Sequence, residues 1–176
     1  MIFKQTRIAG SYVIEIDPKH DERGFFARSW CATEFAEAGL VAELDQCSIS
    51  SNAGARTLRG MHYQIAPDYE TKVVSCRSGA LFDVIIDLRP ESPTFRQWFG
   101  TELTAQNYRA LYIPPGLAHG FLTLADNTDV FYQISGEYVP SSGRGVRWND
   151  PAFAIEWPET PVRMADRDRT YPDFPV

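Results

Sequence analysis

The sequence predicts a single all-β domain, an antiparallel sandwich or barrel with one helix. Three observations lead to this fold class. Short strand-like segments recur along the chain, clusters of Gly, Pro, Asn and Ser separate them, and one segment has a helical composition. The length of 176 residues suits one domain with a sizeable core, and no linker, repeat or low-complexity segment divides it.

The predicted elements follow one another at short intervals. SYVIEID (11–17) alternates apolar and polar residues, which is typical of a half-buried strand. WCATEFAEAGL (30–40) contains good helix formers, and Gly39 suits a C-terminal cap. The further predicted strands are KVVSCRSG (72–79), ALFDVIIDLR (80–89), YRALYIPPG (108–116), DVFYQISGEYV (129–139) and RGVRWND (144–150).

The segment 80–89 has one apolar face, beginning at Phe82, and a second face that carries Asp83 and Asp87. In a closed barrel, polar residues on the inward face would line a pocket. On a half-exposed sheet the same two carboxylates would be solvated, and the pattern alone leaves both interpretations open.

Composition excludes several classes of protein. The formal net charge of −6 argues against a non-specific nucleic-acid or membrane-surface binder, although a few local arginines could still hold a diphosphate. The N-terminus lacks a signal-peptide pattern, and no apolar run is long enough to cross a bilayer. Cys31, Cys47 and Cys76 form no metal or redox motif, so we expect reduced thiols and a cytoplasmic protein.

The segment RTLRGMHYQ (56–64) is the first candidate for chemistry. A single histidine in a strand is more commonly structural than catalytic. Here Arg59 precedes His62, and arginine is well suited to bind phosphate oxygens. Gly60 lies between them and would let a ligand approach the backbone closely. The segment therefore predicts a pocket for an anionic ligand, with His62 as a base.

A metal site is the main alternative for this histidine. Jelly-roll metal proteins commonly offer an H-x-H pair, followed by a Glu and a more distant His. Here the residue two after His62 is Gln64, and the other histidines are His20 and His119. Two separated histidines without a matching carboxylate make a poor metal site, which favours metal-free acid–base chemistry.

Other segments offer residues that could complete such a site. His119 lies in IPPGLAHGF, whose prolines and glycines predict a rigid loop. The histidine on this loop could contact a ligand or could be an ordinary residue of a surface turn. Lys72 begins an apolar strand, where it could be functional or could extend to water from the edge of a sheet. Tyr132 and Tyr138 would share a face of a regular strand. Aromatic packing explains such a pair, and a phenol can also serve as a general acid.

Histidine, lysine and tyrosine in one pocket suggest a reaction class. A base would remove a proton next to a carbonyl, a cation would hold the enolate oxygen, and an acid would return a proton to the opposite face. That reaction is epimerisation, and it needs no cofactor. The sequence permits this convergence but does not establish it.

Seven motifs resemble those of the dTDP-4-dehydrorhamnose 3,5-epimerase family in their order along the chain. They are DERGFF, LRGMHYQ, TKVV, DVIIDLRPESPTF, IPPGLAHGF, VFYQISGEYVP and RGVRWNDPAFAIEWP, and the resemblance covers about residues 10–172. It implies a metal-free, cupin-type antiparallel β jelly roll with one or a few short helices that works as a homodimer. The implied substrates are nucleotide-diphospho-4-keto-6-deoxy sugars, inverted at carbons flanking the ketone.

The resemblance also implies roles for individual residues. His62 is similar to the family's base, Tyr132 to its acid, Lys72 to the cation at the enolate, and Asp168 to the carboxylate that orients the histidine. From the chain alone, Asp168 could equally be an exposed tail residue. The implied binding residues are Arg59 and Arg23 at the diphosphate, with Arg23 donated across the dimer, Phe26 and Gln46 at the nucleotide, and His119 and Tyr138 near the sugar and phosphates.

The chain departs from the family pattern on the nucleotide side. Arg28 stands where the family usually has Glu, Ser48 where it usually has Asn, and Gly143 where it has an acidic residue. A change from Glu to Arg reverses a charge, so dTDP, CDP, GDP and UDP sugars all stay open, as does inversion at C3, C5 or both. The rival functions are a 3,4-ketoisomerase on the same barrel, a non-catalytic sugar-nucleotide-binding barrel and a metal-dependent cupin.

Overall fold

The structure, a computed structural model, describes residues 1–175. Its strands are β1 (Ile2–Gln5), β2 (Tyr12–Glu15), β3 (Lys19–Asp21), β4 (Gly24–Phe26), β5 (Gln46–Asn52), β6 (Leu58–Gln64), β7 (Thr71–Ser78), β8 (Ala80–Asp87), β9 (Trp98–Thr104), β10 (Ala110–Ile113), β11 (Leu117–Thr123), β12 (Thr128–Ser135) and β13 (Gly143–Gly145). Two short α-helices, α1 (Ala32–Glu37) and α2 (Asp166–Thr170), and a 3-10 turn (Pro140–Ser142) complete the described chain.

The strands form two antiparallel sheets and a separate hairpin. The six-stranded sheet has the order β1-β2-β10-β7-β12-β5, and the five-stranded sheet has the order β13-β6-β11-β8-β9. Strands β3 and β4 pair only with each other. Neighbours in each sheet are mostly distant in sequence, as in a jelly roll. The predicted cupin-type β fold is confirmed.

Apolar residues pack in three layers around these sheets. The central cluster, which includes Val74, Leu81 and Leu111, lies between the two sheets. A second cluster, which includes Val84 and Phe153, covers the outer face of the five-stranded sheet. A third covers the outer face of the six-stranded sheet beneath α1. Because the two sheets face each other across the central cluster, polar residues on their inner faces are withdrawn from water.

This layering settles the two interpretations of strand β8. Asp83 and Asp87 have no exposed surface, so the solvated-face alternative is wrong. Asp87 accepts hydrogen bonds from Arg89, Ser92 and Thr94 and thereby anchors the loop between β8 and β9. Asp83 lies further along the same inner face, where it faces the site described below.

Several predicted elements differ in detail from the structure. The helix is shorter than 30–40, and Gly39 follows its end with a φ of +71°. The strand predicted at 144–150 occupies only Gly143–Gly145. A second helix, α2, was not predicted. His119 lies within strand β11 rather than on a loop, because the IPPG turn ends at Gly116 and β11 then pairs with both β6 and β8.

Candidate active site

A cavity of about 650 Å³ opens between the two sheets. It brings together nine of the twelve residues predicted to form the site. Those nine are Gln46, Ser48, Arg59, His62, Lys72, His119, Tyr132, Tyr138 and Asp168. The five-stranded sheet supplies His62 from β6 and His119 from β11, whereas the six-stranded sheet supplies Lys72 from β7 and Tyr132 from β12.

His62 and Asp168 form a hydrogen-bonded pair. His62 Nε2 lies 2.7 Å from Asp168 Oδ1, and the backbone N–H of Gly60 donates to Oδ2 over 3.2 Å. Helix α2 brings Asp168 against β6 and leaves it 2% exposed, so the exposed-tail interpretation is wrong. An ionised carboxylate can only accept hydrogen bonds. Nε2 therefore carries a hydrogen, and the neutral ring keeps its lone pair on Nδ1.

The pair is arranged to keep Asp168 ionised. Burial by itself raises the pKa of the Asp168 carboxyl, but the hydrogen bond and charge of His62 and the Gly60 amide together outweigh burial. The net result is a pKa below the ordinary value of an aspartate. An ionised carboxylate partner stabilises the imidazolium that forms when His62 accepts a proton.

A second histidine–aspartate pair lies on the neighbouring strands. His119 Nε2 is 2.7 Å from Asp83 Oδ1, and His119 stands opposite His62 in the register of β11 and β6. Both members of this pair are buried. Sequence reasoning did not pair these residues, although the alternation in β8 had already offered Asp83 as an inward carboxylate.

Tyr132 faces this second pair from the opposing sheet. Its ring packs edge-on against His119, with ring centroids 5.9 Å apart. Burial raises the pKa of the Tyr132 phenol well above its ordinary value, and the charge of Asp83 raises it further. The phenol therefore stays protonated at neutral pH, which is the state that a general acid requires.

Lys72, on strand β7, lines the same cavity as Tyr132. This strand is internal to its sheet, between β10 and β12, so the edge-lysine interpretation is wrong. Lys72 Nζ donates to Glu70 Oε1 over 2.5 Å, and each of the two side chains is 11% exposed. The ammonium group is thus held at the cavity wall rather than in solvent.

The rest of the wall is polar and partly open. Arg59 donates from Nε to Asn52 Oδ1 over 2.8 Å, and Ser48 stands opposite Tyr132 in the register of β5 and β12. Tyr138 is 59% exposed and lies beyond the end of β12. It therefore reaches the cavity from a loop rather than from the regular strand on which its predicted alignment with Tyr132 depended.

Two further charged side chains line the cavity and were missed in the sequence. Glu70 immediately precedes β7, and Arg167 precedes Asp168 on α2, with its Nε 3.4 Å from Asp168 Oδ1. Position 70 lies two before Lys72, which on an extended chain is the same face, and that spacing could have indicated Glu70. Nothing local indicated Arg167, because the helix that orients it was not predicted.

Three predicted binding residues lie outside the cavity of their own chain. Arg23 and Phe26 belong to the β3–β4 hairpin, where Phe26 is 82% exposed and Arg23 pairs with Asp21. Arg28 follows the hairpin and pairs with Glu34 over 2.7 Å. Their roles in binding stay predictions, and the role expected of Arg23 requires a second copy of the chain.

The donor groups of residues 1–175 form no cluster of three or more His, Cys, Asp or Glu side chains suited to a metal ion. Each cavity histidine is instead bonded to one aspartate. The expectation of a metal-free and cofactor-free site stays a prediction. In the same part of the chain, no helix is long and apolar enough to span a membrane.

A cupin-type jelly roll with this set of ionisable groups belongs to the class of acid–base isomerases. The family model of dTDP-4-dehydrorhamnose 3,5-epimerase matches residues 5–175. The chain belongs to this family, and it is an isomerase of the epimerase type. The resemblance seen in the sequence and the predicted enzyme class are confirmed.

Individual relatives agree with this assignment. The dTDP-4-dehydrorhamnose 3,5-epimerase of Salmonella typhimurium is 42% identical, over 90% of this chain and 86% of its own. The crystal structure of the Elizabethkingia anophelis enzyme superposes with a TM-score of 0.96 at 33% identity, covering 99% of this chain and 96% of that one. The Bacillus anthracis enzyme, with TDP and PPi bound, gives 0.94 at 39% identity, covering 98% and 99%.

Proposed function

We propose that the protein epimerises a nucleotide-diphospho-4-keto-6-deoxy sugar at C3, C5 or both, through an enolate and without a cofactor. The observation that carries the proposal is the placement of His62 and Tyr132. These side chains enter one cavity from opposing sheets, and its volume of about 650 Å³ lies within the usual range for a small-molecule site. The family to which the chain belongs supports the same reaction.

His62 is the proposed base. The proton on a carbon next to the ketone passes to Nδ1. The electron pair of the broken C–H bond forms the C=C bond of the enolate, and the π pair of the carbonyl moves onto its oxygen. Asp168 holds the other ring nitrogen in its protonated form and stabilises the imidazolium. Its role is to position His62 and to supply charge, and it transfers no proton itself.

The proposed cation at the enolate oxygen is Lys72, assisted by His119. The ammonium group is already ordered at the cavity wall, so it can stabilise the developing negative charge without reorganising. His119 is held next to Tyr132 by Asp83 and contributes a further polar contact from the five-stranded sheet.

Tyr132 is the proposed acid. It donates the phenolic proton to the carbon from the face opposite His62, which inverts the configuration. The resulting tyrosinate and imidazolium return to their starting forms by exchanging protons with solvent. This cycle consumes no oxidant or reductant, and every proton and electron pair is accounted for.

Substrate binding divides between the walls of the cavity. Arg59 and Arg167 supply the positive charge for the diphosphate, Gln46 and Ser48 line the nucleotide side, and Tyr138 lies near the sugar and phosphates. The TDP bound to the Bacillus anthracis relative supports dTDP as the first nucleotide to test.

Arg23, Phe26 and Arg28 would complete the nucleotide site of a second copy, through the exposed β3–β4 hairpin. We therefore propose a homodimer. Analytical ultracentrifugation should give twice the chain mass of 19.9 kDa. A monomer at micromolar concentration would contradict this assembly.

The test of the function is proton exchange in heavy water. The wild type and His62→Ala are incubated with dTDP-, CDP-, GDP- and UDP-4-keto sugars, and deuterium is located by NMR. We expect exchange at C3 or C5 with at least one substrate, and loss of exchange at the carbon deprotonated by His62 in the variant. Retained TDP binding by the variant would show that its cavity is intact.

Three outcomes would contradict the proposal. Undiminished exchange by His62→Ala would remove His62 as the base. A product with its carbonyl moved from C4 to C3 would identify a ketoisomerase. Tight binding of every sugar by the wild type without exchange would identify a non-catalytic binding protein.

A further inference from the structure

Glu70 is an ionisable side chain of the cavity that the proposed proton transfers do not use. Its Oε1 accepts a hydrogen bond from Lys72 Nζ over 2.5 Å, and both side chains are 11% exposed. Within residues 1–175, Glu70 is the one group to which the Lys72 ammonium donates a hydrogen bond. Glu70 is also shared with a smaller adjoining cavity of about 130 Å³, which it lines together with His62 and Tyr138.

The backbone that carries Glu70 is fixed from both sides. Gln64 Nε2 donates to the carbonyl of Asp68 over 2.9 Å, and Ser142 Oγ donates to Asp68 Oδ2 over 2.5 Å. On the other side, the backbone at Tyr69 packs closely against Gly136. A Cβ added to this glycine would lie only 2.6 Å from the carbonyl oxygen of Tyr69. Glu70 therefore lies between an anchored loop and the first residue of strand β7, and its carboxylate is in place before any ligand arrives.

We propose that Glu70 is a positioning residue that holds the Lys72 ammonium at the carbonyl oxygen of the sugar. The inference rests on the proposed function, because Lys72 acts there at the enolate. Lysine has three N–H donors on a flexible four-carbon chain. One donor bonded to Glu70 removes most of the freedom of that chain and leaves two donors for the oxygen on which charge develops.

Glu70 acts through Lys72, so the two residues should be energetically coupled. A misplaced catalytic group lowers the rate of the chemical step more than it weakens substrate binding. We expect Glu70→Ala to slow deuterium exchange at saturating substrate by about 10- to 100-fold and to change KM by less than about threefold. Glu70→Gln retains an oxygen acceptor at the same place and should restore most of the lost rate.

The deciding measurement is a double-mutant cycle for the exchange rate. If Glu70 works by holding Lys72, then Lys72→Ala and the double variant Lys72→Ala/Glu70→Ala exchange at the same rate. Glu70→Met keeps the volume without an acceptor and takes the place of Glu70→Ala if that variant does not fold. Glu91→Ala, at an exposed glutamate outside the cavity, is the matched control and should exchange like the wild type.

Three results would overturn the inference while leaving the proposed function intact. The first is a wild-type exchange rate in Glu70→Ala. The second is an equal loss in Glu70→Gln, which would mean that the carboxylate itself is needed as a charge or a proton acceptor. The third is an additional loss when Glu70→Ala is added to Lys72→Ala. Failure of the wild type to exchange any substrate would instead overturn the proposed function, and this inference with it.

Discussion

Replacing Asp168 with asparagine tests the support of the proposed base. The carboxylate accepts from two donors at once, His62 Nε2 through Oδ1 and the Gly60 amide through Oδ2. Asparagine has the same shape but only one acceptor oxygen. If that oxygen keeps the Gly60 bond, the asparagine NH2 group faces His62 Nε2. The proton of the neutral ring is then driven to Nδ1, and the lone pair turns away from the substrate.

The size of the effect follows from the lost bond. A hydrogen bond to a charged group contributes about 1.5 to 3 kcal/mol, and every 1.36 kcal/mol changes a rate tenfold. The imidazolium forms in the transition state. If the hydrogen bond from His62 to Asp168 contributes its whole free energy there, Asp168→Asn should slow proton abstraction roughly 10- to 150-fold. Nucleotide binding should change little, because Asp168 is buried behind His62.

The assay is the initial rate of deuterium incorporation at saturating substrate, with TDP affinity measured in parallel. Asp166→Asn is the matched control, because Asp166 is an exposed residue of the same helix. Equal exchange rates in Asp168→Asn and the wild type would refute the reasoning, and Asp168 would then be only a structural residue. A loss of both exchange and TDP binding would point to a damaged cavity rather than a weakened base.

Three further predictions concern the acid, the backbone beside the base, and pH. Tyr132→Phe should still allow proton abstraction and deuterium wash-in but impair inversion, as followed by NMR of the product, and normal turnover would mean that another group is the acid. Gly60→Ala should lower the free energy of unfolding by roughly 2 to 4 kcal/mol in urea titrations, because a Cβ there would lie 2.5 Å from Gly120 Cα at a φ of +132°. Gly24→Ala, at a similar φ of +128° with open space around it, controls for the backbone strain, and equal losses in the two variants would contradict the crowding argument. Burial alone would raise the pKa of Asp87, but the hydrogen bonds that it accepts lower its pKa to about 2 from an ordinary 3.8. The stability that ionised Asp87 contributes is thus fully present above about pH 4 and is lost as the pH falls toward 2. The free energy of unfolding of Asp87→Asn should therefore fall by roughly 2 kcal/mol less than that of the wild type across that range. Parallel curves of unfolding free energy against pH for the two proteins would contradict this prediction.

Local pattern was enough to predict the fold class and much of the site. The alternation of apolar residues has the period of a strand, and Gly and Pro clusters end each segment, so the all-β architecture could be derived segment by segment. The neighbours of His62 made that residue a candidate before any coordinates. Local pattern also offered Lys72 and Tyr132, the family resemblance added Asp168, and all four residues line the cavity.

Errors arose where a residue's surroundings come from distant parts of the chain. His119 was assigned to a loop because its neighbouring prolines and glycines signal a turn, whereas pairing with β6 and β8 extends the strand through it. Asp83 could have faced water or the core, and only the packing of a second sheet over β8 decided between them. Arg167 was missed because its helix is stabilised by contacts with β6 rather than by strong local helix signals.

The sequence by itself determined which side chains are available and on which face of a strand each stands, since that alternation is a property of the local backbone. The tertiary structure alone decided which faces meet. His62 and Asp168 are 106 positions apart, and Asp83 and His119 are 36 apart, yet each pair is in direct contact. The opposition of His62 and Tyr132 likewise depends on two sheets closing over a shared core, and that long-range packing leaves no periodic signal in either strand.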